Sequence, residues 1–275
     1  MANTSLSPFP AAQPDYRAVP RGNTQKHVTR EVLRYVLEQS GLAATSRVLD
    51  APCGAGEFLR LLAHYWPAAT LTGCDILPAT PDLVGLRYQQ VDLSQPFDLS
   101  APNERFDLIT SISGVMSFGN THAFVTSCAR QLRPGGQFVV TNDNVLTVRD
   151  RLSYLFTGRV RRFKLLFEPH ESLSNLVQHQ ELKRLMEIQG LRIRTVRYTA
   201  LYVEDLLFLP LALLLYPGQW LYLRGLKNST DHQLRRRLFG FKSLLYRHYV
   251  LVGEKFEYPQ NSPPQGAASS RYSGG

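Results

Sequence analysis

A short apolar run, Arg47-Val-Leu-Asp50, stops on an acid and passes directly into Ala-Pro-Cys-Gly-Ala-Gly56, after which helical apolar spacing runs from Glu57 to Trp66. This is a strand, a tight turn and a helix, and Gly54 and Gly56 let the turn bend sharply because neither carries a Cβ. The alternation repeats. Ala69 to Ile76, Leu86 to Asp92 and Arg105 to Ser113 read as strands, and Thr121 to Leu132 reads as a helix. Pro134-Gly-Gly136 ends that helix, and Gln137 to Thr141 makes a fifth strand. Strands alternating with helices at this spacing require a parallel sheet covered on both faces, hence an α/β fold. Ahead of the first strand, Glu31 to Ser40 places Val32, Leu33, Val36 and Leu37 on one helical face, with Gly41 as a stop.

Beyond Asn142 the pattern changes. Arg149 to Ser174 is basic and reads as loop, Val177 to Gln189 as a helix closed by Gly190, and Leu191 to Ala200 and His248 to Phe256 as two further strands. Between those strands, Leu206 to Leu223 is eighteen residues without a charge, long enough to suggest a membrane span, but Pro210, Pro217, Gly218 and Gln219 are expected to interrupt it. Arg224, Lys227, Arg235, Arg236, Arg237, Lys242 and Arg247 follow. An apolar wedge backed by cations fits peripheral membrane contact through residues 206–223. A buried helical pair or a homodimer contact would cover the same surface. Residues 1–25 read as a flexible arm and 258–275 as a disordered tail, because neither has the apolar content to pack.

Lysine and arginine number 31 against 22 acids, a formal charge of +9 that points to an anionic partner or surface. Arg149, Arg151, Arg159, Arg161, Arg162 and Lys164 could line an RNA phosphate track. No RNA-binding module accompanies them, so nucleic acid is not favoured. Cys53, Cys74 and Cys128 lack C-x-x-C spacing and a histidine set. That argues against a metal or disulfide framework and for a cytoplasmic address, at the inner face of the membrane if the apolar segment meets lipid.

The glycine turn is not a dinucleotide fingerprint, since Leu59 stands where its third glycine belongs. An acid at the end of the second strand, Asp75, can accept both hydroxyls of a ribose. At the end of the third strand, Asp92 can accept from an adenine amino group while Leu93 covers the ring. Each acid alone is read as a turn or helix cap, but Asp50, Asp75 and Asp92 at successive strand ends suit a cationic nucleoside. For proton transfer, the loop after the fifth strand offers Asn142, Asp143, Asn144, Glu168, His170 and Glu171. His170 is the first candidate base and His122 the second. His64 and His179 are expected at the surface of helices.

Val48-Leu-Asp-Ala-Pro-Cys-Gly-Ala-Gly-Glu-Phe58, Thr72-Gly-Cys-Asp75, Val91-Asp-Leu93, Phe106-Asp-Leu-Ile109 and Leu132-Arg-Pro-Gly-Gly-Gln-Phe-Val-Val140 follow in unbroken order over residues 28–142. Together they resemble the class I S-adenosylmethionine-dependent methyltransferases of the small-molecule type. The resemblance implies a Rossmann-like seven-stranded mixed sheet with its last strand antiparallel, helices on both faces and an apolar helical insertion between strands six and seven. Its methyltransferase domain would span 26–257, with 143–190 on the acceptor side and 201–247 as the insertion. S-adenosyl-L-methionine would lay its methionine part over Asp50 to Gly56, its ribose on Asp75 and its adenine near Asp92, with Cys53, Gly54, Gly56, Ile76, Leu93 and Ser111 as further contacts. Where many relatives carry an acid–histidine pair after the fourth strand, this chain has Ser117 and Phe118. Val145 to Arg159 and the late insertion are more loosely similar to bacterial methyltransferases of surface-polysaccharide synthesis. That similarity implies a small-molecule or lipid-linked glycan hydroxyl as acceptor, with a lipid or quinone-like acceptor as the alternative.

Overall fold

In the computed structural model, which describes residues 19, 26–78, 81–100, 104–160, 163–166, 175–226 and 231–256, the apolar runs become seven strands. They are β1 (Arg47–Asp50), β2 (Thr70–Asp75), β3 (Arg87–Gln90), β4 (Phe106–Ser111), β5 (Leu132–Asp143), β6 (Leu191–Thr199) and β7 (His248–Lys255). One sheet holds them in the order β3-β2-β1-β4-β5-β7-β6. Strands β1 to β5 are parallel, and β7 runs antiparallel to both β5 and β6. The seven-stranded mixed sheet expected from the sequence is the one that forms.

The helices are α1 (Lys26–Gln39), α2 (Glu57–Tyr65), α3 (Thr121–Gln131), α4 (Val148–Thr157), α5 (His179–Ile188), α6 (Leu209–Gly225) and α7 (His232–Leu238). Successive strand residues point to opposite faces, and the core divides accordingly. Val48, Leu108, Val139 and Val250 pack under α1 and α2, while Leu49, Ile109, Val140 and Leu251 pack under α3 and α5. Val19, inside the segment expected as a loose arm, is buried in the first of these clusters.

Strand β1 lies between β2 and β4. The chain leaves it for β2 and β3 on one side, then crosses to β4 on the other, which opens a crevice at the carboxyl ends of β1 and β4. That reversal decides where a ligand can enter.

Two expectations need correction. The basic stretch after residue 149, expected as loop, begins as α4. Thr147 caps this helix by accepting the Asp150 N–H at 3.1 Å, and Gly158 closes it at φ +68°. The prolines expected to interrupt 206–223 do not. Pro210 lies in the first turn of α6, where a missing N–H leaves no helical bond unmade, and the helix continues through Pro217. A 3-10 turn, Val203–Phe208, leads into α6. Within it Asp205 receives two hydrogen bonds from the Arg247 guanidinium at 2.7 and 2.9 Å. This bidentate pair ties the insertion to the residue preceding β7.

Candidate active site

The turn after β1 folds back onto β2. Cys53 donates its N–H to the Cys74 carbonyl at 2.9 Å, and Gly54 donates its N–H to Asp75 Oδ2 at 2.8 Å. The other Asp75 oxygen accepts the Leu77 N–H at 3.2 Å. A carboxylate offers about four acceptor positions, so each oxygen keeps capacity for a further donor. Gly54 and Gly56 take φ +53° and +79°, and a Cβ on Gly56 would stand 2.6 Å from Pro81 Cβ. Only glycine meets both demands there.

On the other side of β1, Asp50 pairs in register with Thr110 of β4. The buried Asp50 carboxylate accepts the Thr110 hydroxyl at 2.6 Å. Burial pushes the Asp50 carboxyl up to about 7, opposed by the Thr110 hydrogen bond and assisted by the nearby negative charge of Asp75. The turns after β1 and β4 touch, because a Cβ on Gly114 would lie 2.3 Å from Pro52 Cδ. Beneath them Ser111 Oγ is fully buried and has no hydrogen-bond partner among the described residues. An unsatisfied buried hydroxyl at the floor of a sheet crevice calls for a polar ligand or water.

Asp50, Cys53, Gly54, Gly56 and Asp75 thus converge on one turn, with Ser111 on the strand beside β1. Burial pushes the Cys53 thiol up to about 12, so it is a neutral contact and not a nucleophile. Ile76 is exposed just past Asp75. Asp92 is exposed after β3 and accepts both the Ser94 N–H at 2.9 Å and the Ser94 hydroxyl at 2.7 Å, which holds its carboxyl below the usual range. Leu93 turns inward and is buried in the core on the α3 side. A nucleoside would therefore find acceptors at two edges of one crevice, an exposed apolar side chain between them and glycines that permit close approach. Leu93, expected to cover the adenine ring, is instead taken up by the core, because its side chain packs inward; the remaining residues would suit S-adenosylmethionine.

The candidate bases separate. His170, with Glu168 and Glu171, lies outside the described residues. His122 and His64 are exposed. His179, expected at the surface, is buried and stacks on Tyr249 with ring centroids 3.9 Å apart. The correction follows from spacing: His179, Leu182 and Met186 form the face of α5 that meets the sheet. Burial drives the imidazole down to about 3, so it is neutral. Two polar residues expected in the loop after the fifth strand serve structure, and the first of them, Asn142, is part of β5 itself. Asn142 donates to the Val177 carbonyl and Tyr249 hydroxyl, and Asn144 to the Ser243 and Tyr246 carbonyls.

Sequence reasoning missed one buried acid–imidazole pair, Asp143 Oδ1 and His248 Nδ1 at 2.6 Å. It forms because the antiparallel register sets Asp143 opposite His248. The signal is visible only once β5 and β7 are known to pair, since 104 positions separate the two residues.

Residues 24–196 match a family model described as a methyltransferase domain. The chain is 27% identical over 131 residues to a malonyl-[acyl-carrier protein] O-methyltransferase of Paenibacillus sp., a match covering 43% of this chain and 47% of that protein. The chain thus spans about half the length of this relative. A ubiquinone biosynthesis O-methyltransferase of Coxiella burnetii is 27% identical over 169 residues, covering 58% of this chain and 69% of its own length. Among solved structures, an S-adenosylmethionine-dependent methyltransferase of Archaeoglobus fulgidus shares the fold with TM-score 0.51 at 16% identity, over 83% of this chain and 93% of that one.

Proposed function

This chain belongs to the methyltransferase-domain family, and we propose that it moves a methyl group from S-adenosyl-L-methionine to a small-molecule or lipid-linked glycan hydroxyl. The observation that carries the reading is the hydrogen bond from Gly54 N–H to Asp75, which joins the glycine turn to the ribose-accepting acid. When bound, the cofactor supplies an electrophilic methyl on a cationic sulfur. Asp75 would accept the ribose hydroxyls on its remaining lone pairs, and the exposed Asp92 would accept from the adenine amino group. A cationic sulfur held at the glycine turn would favour the ionised form of Asp50. Holding the acceptor behind the methyl supplies much of the rate acceleration, because orientation replaces a chance encounter.

A sugar hydroxyl must lose its proton as the new bond forms. We assign that proton to a ring nitrogen of His170. Residues 203–225 are long and apolar enough to cross a membrane, with mean hydropathy 1.6 and only 6% of the window buried. This supports peripheral contact with the inner membrane face through 206–223, where a lipid-borne acceptor resides. The named role of the Coxiella relative in ubiquinone biosynthesis favours a quinone-like acceptor as the second reading.

The test supplies methyl-labelled S-adenosylmethionine with a total bacterial lipid extract. Label is expected in the organic phase, and His170→Ala is expected to lower its rate by about 10²-fold or more. Label confined to water-soluble products would overturn the lipid-linked acceptor.

A further inference from the structure

A second cleft, of about 810 Å³, opens away from the glycine turn, between α4, α5, α6 and α7. Its volume lies within the ordinary range for small-molecule sites. One side is cationic: Lys183 and Arg184 from α5, Arg151 from α4 and Arg235 from α7. No carboxylate is among its described lining residues. The other side is apolar, with Leu215 and Tyr222 at positions i and i+7 on one stripe of α6 and Leu226 just past its end.

Local pairing leaves part of this charge available. Arg151 donates from Nε to the Leu146 carbonyl at 3.0 Å and from Nη2 to Gln219 at 2.6 Å, which fixes the guanidinium across the cleft. Arg235 donates from Nη1 to the Leu223 and Leu226 carbonyls at 2.6 and 3.0 Å, satisfying the end of α6. Lys183 pairs with Glu187 one turn along α5 at 2.6 Å. Arg184, the next residue of α5, also lines the cleft and is exposed. The fixed Arg151 guanidinium and the exposed Arg184, facing apolar side chains, suit a ligand with an anionic head on a hydrocarbon tail.

Leu146, three residues past the end of β5, also lines the cleft. The site therefore begins at the carboxyl edge of the sheet, the edge that holds the glycine turn. We infer that the cleft binds the phosphate-and-hydrocarbon portion of a lipid acceptor, with the phosphate against Lys183, Arg184 and Arg151 and the chain along α6. This rests on the proposed methyl transfer to a lipid-linked acceptor and assigns the part of the acceptor that does not react. Binding energy from such a remote group is what positions a reacting hydroxyl.

Calorimetry on the full chain tests it with decyl phosphate below its micelle concentration, inorganic phosphate and the neutral amphiphile decyl maltoside. Decyl phosphate is expected to bind roughly tenfold or more tightly than either comparator. A Lys183→Gln/Arg184→Gln double variant should weaken it by about tenfold or more, because charge-assisted hydrogen bonds are lost, while S-adenosylhomocysteine binds as before. Equal affinity for decyl phosphate and decyl maltoside, or no change in the double variant, overturns the inference. So does inorganic phosphate binding as tightly as decyl phosphate, which would make this a free-anion site. If decyl phosphate binds as expected and S-adenosylhomocysteine does not bind at all, the cleft assignment stands and the methyl-transfer reading fails.

Discussion

Helices α2 and α6 are both rich in leucine and aromatic residues, and the fold treats them in opposite ways. The nine residues of α2 bury Phe58, Leu59, Leu62 and Tyr65 against the sheet. The seventeen residues of α6 fully bury Ala212 alone. Leu214 remains 74% exposed, and on the neighbouring α4 Phe156 is 78% exposed. Exposed apolar side chains on two adjacent helices are a feature of interaction sites in folded proteins. The cofactor half completes its own core, whereas among the described residues the insertion leaves much of its apolar surface uncovered.

That contrast breaks most readily by truncating one side chain from each helix. Leu62→Ala should lower unfolding free energy by about 2–5 kcal/mol in urea titration, because it leaves a cavity in a closed core. Leu214→Ser should change it by no more than about 0.5 kcal/mol. Similar losses in both would mean that α6 is as much core as α2.

The next largest effect is on lipid. Leu213→Ser/Leu214→Ser should weaken cosedimentation with anionic vesicles by about tenfold or more, given ~1.5–3 kcal/mol for each buried leucine side chain. Unchanged partitioning, with a shift from dimer to monomer in sedimentation, would instead assign the surface to a second copy of the chain.

The smallest effect sharpens the cofactor side. Asp50 ionises near pH 7 in the folded chain and near pH ~3.9 when unfolded. The folded form therefore holds an extra proton between those values. Its contribution to stability is full below about pH 4 and is lost as pH rises through about 7. Asp50→Asn cannot ionise but keeps an acceptor for Thr110, so its stability should fall less steeply across this window than that of the parent. Parallel curves would contradict the shifted Asp50 carboxyl.

The strand ends and the glycine turn were legible because local features dictate them: an apolar run, an acid, then glycines where positive φ is required. Helix α4 was also written locally, in Thr147 and Gly158, but its arginines obscured a helix that is mostly solvent-facing. Pro217 misled because a proline weakens a helix without always ending it. His179 is buried through the partner its helix face meets, and Asp143 meets His248 through strand pairing. Neither is encoded within a window of neighbouring residues. The exposure of α6 was open for the same reason: composition shows that a stretch is apolar, and only tertiary packing shows what covers it.

On the proposed function, the turn at Gly54 and the acid at Asp75 form one adenosyl-binding site. Titrating S-adenosylhomocysteine into the parent chain and Asp75→Ala by calorimetry tests it directly. A saturable one-site isotherm is expected in the parent and affinity weaker by about 10²-fold in the variant, since two hydrogen bonds to a charged group are lost at ~1.5 kcal/mol or more each. Equal affinity in the two, with the variant folded, would contradict it.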